Sequence, residues 1–365
     1  MNKIRLVSLL SFTLLSGAAA AQTGLTLYGN IDASWVSATG IGPGNDRRSS
    51  FGEGNWTPSI WGVSGKEDLG SGVLAHINLE GGFNAGDGSI ANGGTTGVFS
   101  RQANLGFSGD FGSFKAGLQI SPFIAAYNSS LAVAGQNFSV PALLLHQNGT
   151  ALNNLGAPVS VTAGGTDADV ANSTTSGFFI PNSISYSLPR ELLSGFTGSA
   201  LYSFGGVPGD TGANRLASGN IGYSLGDINL LAAISDRAQQ YQQYLLGGSV
   251  PLGAAKLAGS YVHFRPETGN STNTYIIGAG LQVMPKTNVG INFARNSGPN
   301  HPSIINLSAV YSFSKSTEVY AAFNHAKDGA FSSYSGSVDA TASPATLSQT
   351  VSISNAFILG LRKGF

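Results

Sequence analysis

The sequence predicts an all-β fold, a sixteen-stranded antiparallel transmembrane β-barrel, and three observations predict it. Apolar and polar residues alternate with period two from about residue 25 to the last residue, as half-buried strands require. The connections between these segments alternate between short and long, the layout of a membrane barrel with turns at one end and loops at the other. The polar half of each segment is rich in Ser, Asn, Gly and Thr. Buried in a dry core, those groups would cost about 1–3 kcal/mol each for want of partners, so they fit a wet lumen.

The elements follow in order. Lys3 and Arg5 precede the apolar run Leu6 to Leu15, then Gly17 and Ala18 to Ala21, which predicts a signal peptide over 1–21 cleaved after Ala21. That run is too short to span a bilayer, and no later stretch offers the roughly 20 apolar residues of a membrane helix. The barrel is therefore assigned to 22–365. Strands are expected near 25–36, 57–66, 73–83, 99–108, 113–121, 178–188, 196–205, 215–226, 227–236, 240–251, 254–265, 273–284, 286–296, 303–314, 316–327 and 351–365. In the first, Leu25, Leu27, Ile31, Ala33 and Trp35 interleave with Thr26, Tyr28, Asn30, Asp32 and Ser34. In the last, Val351, Ile353, Phe357, Leu359 and Leu361 face away from Ser352, Ser354, Gly360 and Arg362.

Short connections are expected at Gly65 to Gly72, Ser108 to Gly112, Leu225 to Asp227, Pro251 to Ala254, Pro285 to Thr287 and Ser314 to Ser316. Long ones fall near 37–56, 84–98, 122–177, 205–214, 265–272, 297–302 and 328–350, with 122–177 the longest. Open sheets beyond about ten strands curl or split. Only closure leaves no strand edge unpaired in lipid, and sixteen strands enclose a space too wide for side chains to fill. Trp35, Trp61, Tyr186, Tyr223, Tyr311 and Phe313 lie near segment ends, where interfacial aromatic girdles belong.

Composition narrows the function classes. Charged residues are 10% of the chain where about 25% is usual, while Gly supplies 51 of 365 residues. Without Lys3 and Arg5 the chain carries 16 basic against 18 acidic residues, a balance that does not point to nucleic acid. With no Cys there is no disulfide, thiolate metal site or cysteine nucleophile. His76, His146, His263, His301 and His325 show no metal-ligand spacing. Gly65-Lys66 is followed by Glu67 rather than Ser or Thr, so it is no phosphate loop, and no G-x-S-x-G elbow is present. Glu67 and Asp68 read as a solvated turn. An enzyme barrel would need Ser, His and an acid converging at one strand end. No metal or cofactor is implied.

Particular stretches resemble one family. Ser59 to Gly72 (SIWGVSGKEDLGSG) with Leu79 to Phe83 (LEGGF) resembles the second and third strands of the beta-proteobacterial general outer-membrane porins. Ser100 to Gly117 is similar to their next hairpin, Leu25 to Ala33 to their first strand, Asn182 to Pro189 to the strand after their long third loop, and Leu359 to Phe365 to their last. The resemblance implies a homotrimer in the outer membrane of a Gram-negative bacterium, with the third loop, here 122–177, folded into the lumen as a constriction. Lipid and lipopolysaccharide are the implied surroundings, the barrel-assembly machinery the implied partner through Phe365, and passive diffusion of small hydrophilic solutes and ions the implied function. A channel specific for a neutral or weakly charged solute is the alternative.

His76 shares parity with Asn78 and Glu80 on the polar face and is expected to line the lumen. The candidate constriction residues are Arg101, His76 and Glu80 on the wall with Asp167 and Asp169 on the loop. Arg101 sits at the family's basic position, yet its parity groups it with Ala103, Leu105 and Phe107, so alternation alone leaves its face open. The chain departs from the family where Arg is common: Ile60, Leu118 and Phe179-Ile180-Pro181 stand in those places. The transverse field across the constriction is therefore expected to be weak.

Overall fold

The computed structural model describes residues 24–41, 46–91, 97–133, 178–189, 194–267, 270–297, 301, 303–327 and 353–365. Its strands are β1 (Gly24–Ile41), β2 (Asp46–Glu53), β3 (Ile60–Gly70), β4 (Val73–Phe83), β5 (Ile90–Ala91), β6 (Gln102–Gly109) and β7 (Gly112–Ile120). A short helix, α1 (Pro122–Ser129), follows. The chain continues through β8 (Phe179–Ser187), β9 (Phe196–Ser203), β10 (Leu216–Leu225), β11 (Ile228–Arg237), β12 (Tyr241–Leu252) and β13 (Ala255–Pro266). It ends with β14 (Thr272–Met284), β15 (Thr287–Asn296), β16 (Ser303–Ser314), β17 (Thr317–Lys327) and β18 (Ile353–Gly364).

Every neighbour pairs antiparallel, and the sheet closes where Asn30 to Thr39 of β1 meets Gly364 to Asn355 of β18. On its other side β1 pairs first with β3 (Gly24 opposite Lys66) and then with β2 (Ala33 opposite Glu53). The strands β2 and β3 thus form one stave interrupted at residues 54–59, and β5 is a two-residue return onto the end of β4. The result is a closed barrel of 16 staves.

Three local expectations are corrected. The loop expected over 37–56 is largely a ladder, because β1 runs on to Ile41 and β2 answers it. The turn expected from Gly65 is confined to Ser71 and Gly72, with Gly70, Ser71 and Gly72 all at positive φ, so Glu67 and Asp68 belong to β3. The segment 122–177 is not structureless at its start, since Pro122 opens α1 at a position where a missing N–H costs nothing.

The two faces differ as alternation requires. Leu25, Leu27, Leu105, Ile184, Leu246, Ile277 and Leu307 are among the exposed apolar side chains of one parity. The opposite parity carries Asp32, Asn104, Ser183, Ser218, Thr274, Asn292, Asn306 and Asn324, all buried. A soluble core would invert this order, so the apolar parity faces lipid and the polar one the interior. At the short-turn end the outward face carries an aromatic belt. Phe114 meets Tyr186 at 4.7 Å, Phe196 meets Tyr223 at 4.5 Å and Tyr311 meets Phe313 at 5.0 Å.

Part of the interior is packed. Phe123, Ile124, Tyr127 and Leu131 sit against inward-facing Ala233, Leu245, Val262, Ile276, Ala294 and Ile304. Polar contacts fix this segment: the Phe123 N–H donates to Ser218 Oγ at 3.1 Å, Asn220 Nδ2 to the Pro122 carbonyl at 2.7 Å, and Lys256 Nζ to the Leu131 carbonyl at 3.1 Å. Burial among these side chains pushes the Tyr127 phenol well above its ordinary range, so it stays neutral.

Candidate functional site

The candidate site is the inner wall of the barrel, where a solute would meet side chains. On β4 the even parity turns His76, Asn78 and Glu80 inward, opposite Lys66, Ser64 and Gly62 of β3. Arg101 lies just outside β6, where its backbone N–H still donates to the Glu80 carbonyl at 3.1 Å but its side chain has left the alternation. This answers the open question of its face. Arg101 Nε donates to Glu80 Oε1 at 2.7 Å, and the guanidinium lies 4.6 Å from the centre of the Phe179 ring.

That pair is enclosed, with Arg101 13% and Glu80 7% exposed. The Tyr28 hydroxyl donates to Asn78 Oδ1 at 2.8 Å and Glu80 Oε2 at 3.0 Å, and Gln102 Nε2 approaches Glu80 Oε2 at 3.4 Å. Glu80 therefore has partners on both oxygens. Arg101 is a neutralised cation resting on an aromatic face, not a free lining charge. Phe179 is the first residue of the Phe179-Ile180-Pro181 stretch, and its ring presents an apolar surface to the guanidinium.

His76 stands apart from the pair, its Nε2 against the Ser108 hydroxyl. Asp167 and Asp169 lie outside the described residues. Phe365 continues the outward parity of β18. Its N–H donates to the Gly29 carbonyl at 3.0 Å, and a Cβ on Gly29 would meet its ring at 2.6 Å, so the ring lies across a glycine that leaves room for it.

Several further inward groups were not among the candidate site residues. Asp32 Oδ2 accepts the Trp56 and Thr57 N–H groups at 2.8 Å each, and the Tyr320 hydroxyl donates to Oδ1. Those bonds fold residues 54–59 inward, where Trp56 packs 5.3 Å from the Tyr320 ring. Glu318 pairs with Arg362 at 2.9 Å. Lys66, Lys115, Arg237 and Lys256 also face inward, by register with His76, Gly106, Leu216 and Pro251. Among the described residues none of these four forms an ion pair. The parity of Lys115 with Ser113, against Phe114 and Ala116, carried the signal for its face. Lys66 was hidden by the reading of its segment as a turn. Among the described residues no cluster of metal-ligating side chains occurs, and no helix is long and apolar enough to cross a membrane.

Comparison with known proteins agrees with this fold. The Gram-negative porin family model matches residues 7–330. The chain is 28% identical to outer membrane porin protein 32 of Delftia acidovorans over 327 residues, 84% of each chain. Its structure is similar to the anion-selective porin from Comamonas acidovorans, with a TM-score of 0.71 at 20% identity, covering 94% of this chain and 100% of that one. It is also similar to the trimer form of in-vitro folded OmpT, an outer membrane protein of Vibrio cholerae, with a TM-score of 0.61 at 13% identity and coverage of 94% and 99%. An outward apolar face, a polar interior and sixteen staves closed without an edge go together with these matches: the chain belongs to the Gram-negative porin family of outer-membrane channels.

Proposed function

We propose that the chain is a homotrimeric passive pore in which 122–177 narrows the lumen and whose charge balance favours anions. The observation that carries this reading is the inward charge inventory. The carboxylates of Asp32, Glu80 and Glu318 are engaged by Tyr320, Arg101 and Arg362, and Asp68 accepts the Gly70 N–H at the turn, while Lys66 and Lys115 are exposed on the inner wall and form no ion pair among the described residues; Arg237 is buried and Lys256 is held by the Leu131 carbonyl. Free cations on a low-dielectric wall raise the local anion concentration. Packing of Phe123 to Leu131 against the inner wall supports a loop that turns inward. The anion-selective character of the Comamonas acidovorans porin and the trimer form of the Vibrio cholerae protein point the same way.

The remaining parts of the reading concern assembly. Residues 1–21 direct export and are removed. Phe365 is the mark by which the barrel-assembly machinery takes up the chain, and lipid and lipopolysaccharide surround the apolar face. No catalytic step is assigned to the chain.

Planar-bilayer recording of the purified protein under a KCl gradient tests the pore. Openings in groups of three with a reversal potential on the chloride side are expected. A reversal potential on the potassium side would overturn the anion preference, and small single steps blocked by one neutral solute would favour the specific channel instead.

A further inference from the structure

Toward the short turns, four adjacent strands place Lys66, His76, Gly106 and Lys115 at one level of the inner wall. Lys66 is opposite His76, His76 opposite Gly106, and Gly106 opposite Lys115. Three strand spacings of roughly 4.8 Å put the outer two about 14 Å apart at the backbone. Gly106 offers no side chain between them. A Cβ there would meet Lys115 Cγ at 3.0 Å, so Lys115 packs closely against Gly106.

Lys66 and Lys115 are exposed, which on this face means open to the lumen. Ser108 lies beside His76, and Ser185, whose hydroxyl donates to Gln119 Oε1 at 2.6 Å, lies opposite Lys115. The acid at the same parity of β3, Asp68, is held at the turn, where its Oδ1 accepts the Gly70 N–H at 2.8 Å. The Arg101–Glu80 pair lies four residues from His76 along β4, roughly 13 Å farther up the wall.

We infer that Lys66, His76 and Lys115 form an anion-binding rung that takes a small divalent oxyanion, inorganic phosphate or a short dicarboxylate. Chloride can engage one ammonium at a time. A dianion between the lysines is attracted by both, and the hydroxyl and imidazole groups supply hydrogen bonds that a halide uses poorly. The rung concentrates such solutes on the periplasmic side of the narrow zone and releases them one by one, since two point charges on flexible stems hold loosely. This inference rests on the pore reading.

The test uses the full-length protein in planar bilayers in KCl, with sodium phosphate or sodium succinate added to the short-turn side. A saturable fall in chloride current is expected, and K66Q/K115Q should raise the half-blocking concentration at least about tenfold, a loss of about 1.4 kcal/mol. H76Q should have a smaller effect in the same direction. A half-blocking concentration unchanged in K66Q/K115Q, or a fall that never saturates, would overturn the rung. Native-sized KCl openings show that the variant barrel is folded. Equilibrium dialysis of phosphate against the detergent-solubilised protein reads the rung without the pore: saturable binding lost in K66Q/K115Q supports it even if no conductance is seen, and no saturable binding to the native protein sinks it.

Discussion

At Glu80 a single carboxylate satisfies a guanidinium, a phenol and an amide, and this determines what the residue does. Breaking a buried ion pair from one side leaves a charge without a partner, at about 3–5 kcal/mol. Arg101→Ala is therefore expected to lower barrel stability by about that amount and to move the reversal potential toward cations, because the Glu80 charge is left without a counter-cation. Glu80→Gln should shift the potential the other way. The double variant removes both charges, so its unfolding midpoint in denaturant should recover most of the loss and its potential should return close to native. A double variant as unstable as Arg101→Ala would show that the two side chains are not coupled. Tyr320→Phe probes a second buried carboxylate by deleting the hydroxyl that donates to Asp32. A bond to a charged group is worth about 1.5–3 kcal/mol. The thermal midpoint should drop accordingly, with the Trp56 and Thr57 N–H groups still holding Asp32.

Among the elements, α1 differs from the strands in what holds it. Apart from β2 and β5, each strand has ladders on both sides, whereas α1 has the packing of Phe123, Ile124, Tyr127 and Leu131 and a few bonds such as Asn220 to Pro122. Phe123→Ala removes a side chain that is 2% exposed, at about 3–5 kcal/mol. That exceeds what a short helix can lose and stay docked. Because α1 can detach without unpairing a strand, the global midpoint should barely move while single-channel conductance and noise rise. A lowered midpoint with unchanged conductance would place the helix in the barrel's own core. The same contrast explains what was legible in the sequence. Strands such as β16 were plain because each inward Asn306 or Ser308 is flanked by an outward Leu307 or Ala309. The helix was not, because PFIAAYNS is apolar without a strand's period and sits in the longest loop. The extension of β1 and β2 was missed because Asp46, Arg47 and Arg48 read as loop when only pairing with the partner strand makes them extended. The site was legible in part: His76 and Glu80 follow from parity, whereas Arg101 reaches Glu80 only by leaving the strand.

For the whole molecule the governing fact is that its surface is apolar outside and its interior polar, the reverse of a soluble protein. The solvent on each side should then decide which substitutions are tolerated. Leu307 is 45% exposed in the middle of β16, flanked by outward Ile291 and Phe323. Placing Arg there sets a charge in hydrocarbon, at about 2–4 kcal/mol near the bilayer midplane. Ser185 faces the other way from β8, next to Lys115. An Arg at that position has water and mobile anions around it, so Ser185→Arg should fold as the native chain does and add a cation to the lumen. Refolding into lipid vesicles followed by denaturant titration should show Leu307→Arg destabilised by the stated amount and Ser185→Arg within about 1 kcal/mol of native, as expected away from lipid. In bilayers under a KCl gradient, Ser185→Arg should push the reversal potential further toward chloride, whereas Leu307→Arg, where it inserts, should leave it in place. Equal destabilisation by both substitutions would mean that the two parities do not face different solvents, and the assignment of lumen and lipid would have to be abandoned. Equal potentials with unequal stabilities would keep the barrel but remove Ser185 from the conducting path.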